Sequence, residues 1–227
     1  MDPRHLGDGR RTLQVAGAAS DTLVLCQSDL VNDQWFSAPP ARVLTGDEPF
    51  IGCAATVYDF WRFAMSDLRM NNVRGYLAES LVARAVQAVG QRIEWDAFDV
   101  LTPDGVKVEV KSSAYLQVWD QRAPSRIVFS GLRGKTWSPQ QGEASEATYN
   151  ADVYVFAVHT ALRHDQYDAL DVRQWEFYVL PRETIERLGY KSLGLSTLRT
   201  ITGEATPYGE LADAIAAAAS RGTQLTV

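Results

Sequence analysis

The chain has 227 residues, of which 46% are hydrophobic and 22% charged, with a formal net charge of −6. At about 100–200 residues per domain this is one large domain or two small ones, too apolar for a disordered chain and, with 16 Gly and 9 Pro, not collagen-like. No stretch reaches the roughly 20 apolar residues of a membrane span, and the first arginines are not followed by the apolar core of a secretory signal, so a cytoplasmic protein is expected.

The charge is uneven along the chain. Residues 1–61 carry a net −4, residues 62–135 a net +3 and residues 136–227 a net −5. A basic middle segment inside an acidic chain is permissive for a polyanionic partner. Cys26 and Cys53 have no metal or redox spacing and read as buried small residues. His5, His159 and His164 likewise lack metal-ligand spacing, which argues against zinc.

In chain order, the first fifty residues read as a few strands and loops. From Ala54 to Met70 the apolar residues Val57, Phe60, Trp61, Ala64, Met65 and Leu68 fall on one helical face. Asn71 and Asn72 break that helix, and a second runs from Arg74 to Val89, with Gly90 ending it. Strands follow at Ile93–Leu101 and Val106–Ser112, joined through Pro103, Asp104 and Gly105. Further strands fall at Arg126–Gly131, Val153–His159 and Trp175–Leu180, with a polar, mobile connection at 134–150. Helices at Arg182–Leu188 and Gly209–Ser220 close the chain. The order implies an α/β or α+β domain, a mixed central sheet flanked by helices. We divide it into an extension (1–53), a core (54–180) and a helical segment (181–227) of a single domain.

The register of the first hairpin follows from its turn. Pro103 and Asp104 suit a type I turn and Gly105 a left-handed position, so Thr102 pairs with Val106. Counting back puts Val100 opposite Val108, Asp99 opposite Glu109, Phe98 opposite Val110 and Ala97 opposite Lys111. Alternation then sends Phe98, Val100, Val108 and Val110 to the core and Asp99, Glu109 and Lys111 to the other face; Asp96 falls on the core side.

Two opposed carboxylates destabilise a hairpin unless something neutralises them, and a divalent cation does. Magnesium, with manganese able to substitute, takes carboxylate oxygens and keeps several waters, so Asp99, Glu109 and the Val110 carbonyl make a suitable partial shell. Lys111, on the same face, can bind a phosphate or support an attacking water. On the second helix Glu79 falls at the rim of the apolar arc, where it can lean toward the metal. Phosphodiester hydrolysis needs this set of groups.

These residues resemble the PD-(D/E)xK nuclease superfamily over about Asn71 to Leu180. The resemblance implies a helix followed by a three-stranded meander, with an acidic residue on one strand and Glu-x-Lys on the next holding magnesium at a phosphodiester. Asp99, Glu109, Lys111 and Glu79 match those places, although Phe98 stands where many members have proline. The stretches Arg74–Glu79, Val110–Trp119 and Gln174–Val179 also resemble bacterial restriction-endonuclease-like proteins, which implies a restriction or anti-phage role. Gln117 falls where some members carry a glutamine that contacts the site.

The expected activity is magnesium-dependent cleavage of double-stranded DNA, and cutting both strands favours a homodimer. Ser112 and Ser113 can bond Lys111 or a phosphate, and Arg74, Arg122, Arg126, Arg133 and Lys135 can contact backbone phosphates. Tyr115 and Trp119 read as core aromatics. Two alternatives stay open. One is a DNA-binding or assembly module that keeps the nuclease fold without turnover, and the other an RNA-directed nuclease.

Overall fold

Val153–His159 is an uninterrupted run of strand-forming residues, and every one of its seven positions is buried. A strand covered on both faces must lie inside a sheet with layers above and below it. The computed structural model describes residues 39, 41–92, 97–138 and 142–223, and there the chain forms five α-helices and eight strands. They are α1 (Val57–Met65), α2 (Asn71–Ala85), β1 (Val100–Leu101), β2 (Lys107–Ala114), β3 (Val128–Ser130), β4 (Trp137–Ser138), β5 (Gly142–Glu143), β6 (Val153–His159), β7 (Trp175–Pro181), α3 (Arg182–Leu188), β8 (Ser192–Gly194), α4 (Leu195–Thr202) and α5 (Leu211–Thr223). The expected strands before residue 39, and the segment 93–96 with Asp96, lie outside the described residues.

The central sheet has the order β1-β2-β6-β7. β1 is antiparallel to β2, β2 parallel to β6, and β6 antiparallel to β7, so the sheet is mixed, as the alternation of elements implies. One face packs on α2 and α5 through Val108, Val110, Val153, Val155, Ala78, Val82, Leu211 and Ile215. The other packs on the β3–β8 ribbon, α3 and α4 through Tyr154, Phe156, Tyr178, Phe129, Leu193 and Leu198. The helices after residue 181 thus close both layers of the same sheet.

Local signals set several of the boundaries. Thr56 caps α1 in a reciprocal box with Asp59, and Gly189, left-handed at φ +64°, ends α3 where the sequence puts its end. The β1–β2 turn forms as its residues dictate: Gly105 takes φ +85° and Thr102 N–H bonds the Val106 carbonyl at 3.0 Å. Val100 opposes Val108.

Several expectations are corrected. Asn71 begins α2 rather than separating two helices, and α2 stops at Ala85, leaving Val89 almost fully exposed. The stripe on α1 does not enter the core: none of the nine residues is buried, and Phe60 and Met65 are exposed. Cys53 and Trp119 are also exposed rather than buried. The span 134–150, expected as a connection, also holds a short ribbon in which β4 and β5 pair. β8 and α4 carry no clear sequence signal, being three and eight residues long.

Candidate active site

The first strand of the hairpin is shorter than its pattern. The β1 ladder holds Val100 and Leu101 only, and residues 97–99 bend out of it. Asp99 therefore does not sit as a regular ladder partner of Glu109. Its N–H bonds the Val108 carbonyl at 3.0 Å, the residue Val100 already faces. Its carboxylate turns inward and accepts the Val110 N–H at 2.8 Å. The side chain does what the missing strand backbone does elsewhere. Because N–H and C=O of one strand residue point to the same side, the Val110 carbonyl faces the side occupied by the Asp99 carboxylate.

β2 stays regular along its whole pairing with β6, so alternation fixes which of its side chains meet. Glu109, Lys111 and Ser113 share one face; Val108, Val110 and Ser112 share the other. Ser112 is thus on the α2–α5 side, away from Lys111, which removes it as a partner of that ammonium. On the first face a hollow of about 210 Å³ is lined by Asp99, Glu109, Lys111, Lys135, Asn150 and Tyr154, among others. Lys111 Nζ lies 2.5 Å from Glu109 Oε1. Gly131 takes a left-handed φ of +67° beside this ammonium, and a β-carbon there would meet Nζ at an ordinary contact distance of 3.8 Å.

The two acids of the hollow, Asp99 and Glu109, share it with two lysines, Lys111 and Lys135. Burial, and then the nearby Asp99 charge, push the Glu109 carboxyl above the usual carboxylate range, and Lys111 only partly offsets this. Burial and the Glu109 charge push the Tyr154 hydroxyl up to about 12. Glu79 approaches from α2, on the other side of Asp99, with its side chain 12% exposed and an ion pair to Arg92 Nε at 2.5 Å. Burial first and Asp99 second push its carboxyl up to about 7, against the pull of Arg92. Asp99 lines both the first hollow and a neighbouring one that holds Glu79 and Arg92. The Asp99 charge thus acts on both neighbouring acids, Glu79 and Glu109.

This donor set suits a hard divalent cation that keeps much of its water. Two carboxylates and one backbone carbonyl satisfy part of a magnesium shell, and a cation there lowers the repulsion that raises Glu109. Among the described residues no three or more His, Cys, Asp or Glu side chains are grouped so that they could hold a metal ion, so the donors here are two carboxylates and one backbone carbonyl. The residues fit an open site with exchangeable positions.

Of the other residues expected at the site, several lie elsewhere. Arg74 is 4% exposed, and its guanidinium donates to the Arg69 carbonyl (3.0 Å) and Asn71 Oδ1 (2.6 Å), so it holds the start of α2 rather than a phosphate. Gln117 is 7% exposed and its amide nitrogen donates to the Ala114 carbonyl at 3.0 Å, tying the turn after β2. Arg122 and Arg126 are not buried, and neither borders the hollow. Sequence reasoning missed Tyr154 and Asn150, whose place depends on β2 and β6 pairing in parallel, a contact across more than forty residues.

The family model for bacteriophage T4 endonuclease IV matches residues 63–180. The chain belongs to this family. The match runs from within α1 to β7 and takes in Glu79, Asp99, Glu109 and Lys111, while α3, β8, α4 and α5 lie beyond it. No curated protein matches the chain. For this T4 endonuclease IV family member the charge arrangement has a measurable result at Glu79. Below pH 4.5 the carboxyl is protonated in both folded and unfolded chains, and its contribution to stability is complete. Between there and about 7 the unfolded chain ionises while the folded one resists, so stability falls as pH rises. In metal-free buffer the melting temperature of wild type should drop relative to Glu79→Gln between pH 5 and pH 8. Parallel curves for the two proteins would show that Glu79 titrates normally.

Proposed function

We propose that this chain is a divalent-metal-dependent DNA endonuclease of the PD-(D/E)xK kind. One observation carries the reading: Asp99, from the bend that leads into β1, and Glu109 and Lys111, from β2, line a single open hollow within the span matched by an endonuclease family. Asp99, Glu109 and the Val110 carbonyl would hold magnesium or manganese. Bound there, the cation supplies charge neutralisation on a phosphate oxygen and a water acidified toward neutral pH.

The chain's own groups do the rest. Asp99 is held in one orientation by the Val110 N–H, which removes rotamer freedom that a metal ligand would otherwise lose on binding. Lys111 is balanced by Glu109 in the free protein. With Glu109 engaged as a metal ligand, the Lys111 ammonium would be free to face the scissile phosphate and the charge that grows on it. Glu79, protonated through much of the range below 7, can hold a water beside Asp99 as donor or acceptor. Asp99 and Glu109 repel a polyanion while bare, so substrate and cation are expected to bind with mutual reinforcement.

The test is cleavage of circular DNA and of RNA matched in length, each with Mg2+, with Mn2+ and with excess EDTA. Cutting of DNA with either metal, abolished by EDTA, is expected. Binding without cutting under every condition would instead identify a DNA-binding module that keeps the fold, and preference for RNA a ribonuclease.

A further inference from the structure

The first hollow does not end at Lys135. Gly131 and Leu132 line it and also line a second hollow, of about 500 Å³, whose other walls include Arg133, Glu146 and Lys191. The segment leaving β3, residues 131–135, thus forms the ridge between two adjoining depressions. Along it the cations Arg133 and Lys135 are two residues apart. Lys191 closes the far side from the turn between α3 and β8.

The cations on this path are exposed. Lys135 Nζ pairs with Glu143 at 2.9 Å across exposed side chains, an ion pair of the class worth about 0–1 kcal/mol, which a phosphate can displace. Arg133 is better ordered: its guanidinium stacks 4.7 Å from the centre of the Tyr149 ring and reaches the Gly189 carbonyl at 3.5 Å. A stacked guanidinium keeps in-plane donors for an anion. Glu146 is the acid that lines the second hollow, against two cations. Three cations, Lys135, Arg133 and Lys191, thus lie beside the carboxylate site, set against the exposed acids Glu143 and Glu146.

We infer that the nucleic-acid strand flanking the scissile phosphate runs from the first hollow over Gly131 and Leu132 into the second. Lys135, Arg133 and Lys191 hold its successive backbone phosphates. The inference rests on the nuclease reading above and adds the course of the bound strand. The contacts are to phosphates, so they set position and affinity without reading sequence. Glu143 acts as a resident stand-in that keeps Lys135 at the mouth of the hollow until a phosphate takes its place.

The experiment is anisotropy of a labelled DNA oligonucleotide, without divalent cation, across a salt series. Each phosphate contact removed is expected to lower the slope of log affinity against log salt by about 0.7–0.9. Lys191→Gln should therefore lower it by about one contact and the Lys135→Gln, Arg133→Gln, Lys191→Gln triple by two to three, with affinity lost evenly across unrelated sequences. Arg163→Gln, paired with Asp165 away from both hollows, should leave the slope unchanged. Melting temperatures check that the variants are folded, and the single Lys191 variant stands if the triple is not. A wild-type slope in Lys191→Gln, or in a folded triple, overturns the path; metal-dependent cutting by wild type in the same preparations would leave the nuclease reading intact. A wild type that neither cuts nor binds in a salt-dependent way overturns both.

Discussion

Asp99→Asn and Glu109→Gln should each lower metal-dependent DNA cleavage by at least about 10³-fold, roughly 4 kcal/mol of barrier. Both changes are nearly isosteric. The amide put in place of the Asp99 carboxylate would still offer an oxygen to the Val110 N–H, so the bend leading into β1 should survive. What is lost is a negative charge on a ligand of the cation, and with it the acidified water and the neutralised phosphate. The same variants should melt at or above the wild-type temperature near neutral pH, because Glu109 is held above its usual carboxylate range by burial and by Asp99, and a neutral amide escapes both. Stability and activity are expected to move in opposite directions, the pattern of a site that is electrostatically strained for function. Cleavage rates with Mg2+, alongside thermal melts without it, check the pair of outcomes. Equal rates in wild type and both variants would remove these carboxylates from the chemistry.

Phe156→Ala should destabilise the protein by about 3–5 kcal/mol, the cost of removing a buried aromatic side chain and leaving a cavity. Phe156 is fully buried at the middle of β6, packs edge-on against Phe129 with ring centroids 5.0 Å apart, and opposes Lys111 across the parallel ladder. At about 2–4 °C per kcal/mol in a chain of this size, the melting temperature should fall by about 10 °C. Phe63→Ala makes the same chemical change on α1, where Phe63 is 91% exposed, and should stay within about 0.5 kcal/mol of wild type. Thermal denaturation of the two variants side by side separates them. A large loss at Phe63 with little at Phe156 would contradict the layering described above.

That contrast also marks what the sequence reveals. β6 and α3 are legible because their signals are local: an unbroken run of strand formers in one, Pro181 and a left-handed Gly189 bounding the other. The hairpin turn is legible for the same reason, since Gly105 readily takes the left-handed position it needs. The amphipathic pattern on α1 is much stronger than that on α2, yet of the two only α2 meets the sheet, and periodicity does not say which apolar face finds a partner. At the site, Glu109 and Lys111 follow from strand alternation. The inward turn of Asp99 does not, because it depends on β1 beginning only at Val100 and leaving the Val110 N–H for a side chain to satisfy. Arg74 reads as a surface cation in the sequence and is instead consumed by the backbone of the turn before α2. Arg133 and Lys191, far apart in sequence, line one hollow beside the paired strands β3 and β8.

The central claim is that Asp99, Glu109 and the Val110 carbonyl hold one divalent cation. Anomalous diffraction from crystals soaked in manganese tests it most directly. The expected result is a single strong peak within about 2.0–2.3 Å of a carboxylate oxygen of each acid, reduced or absent in Glu109→Gln crystals soaked alike. A well-diffracting wild-type crystal with no peak between the two carboxylates, or with the same peak retained in the Gln variant, would contradict the account.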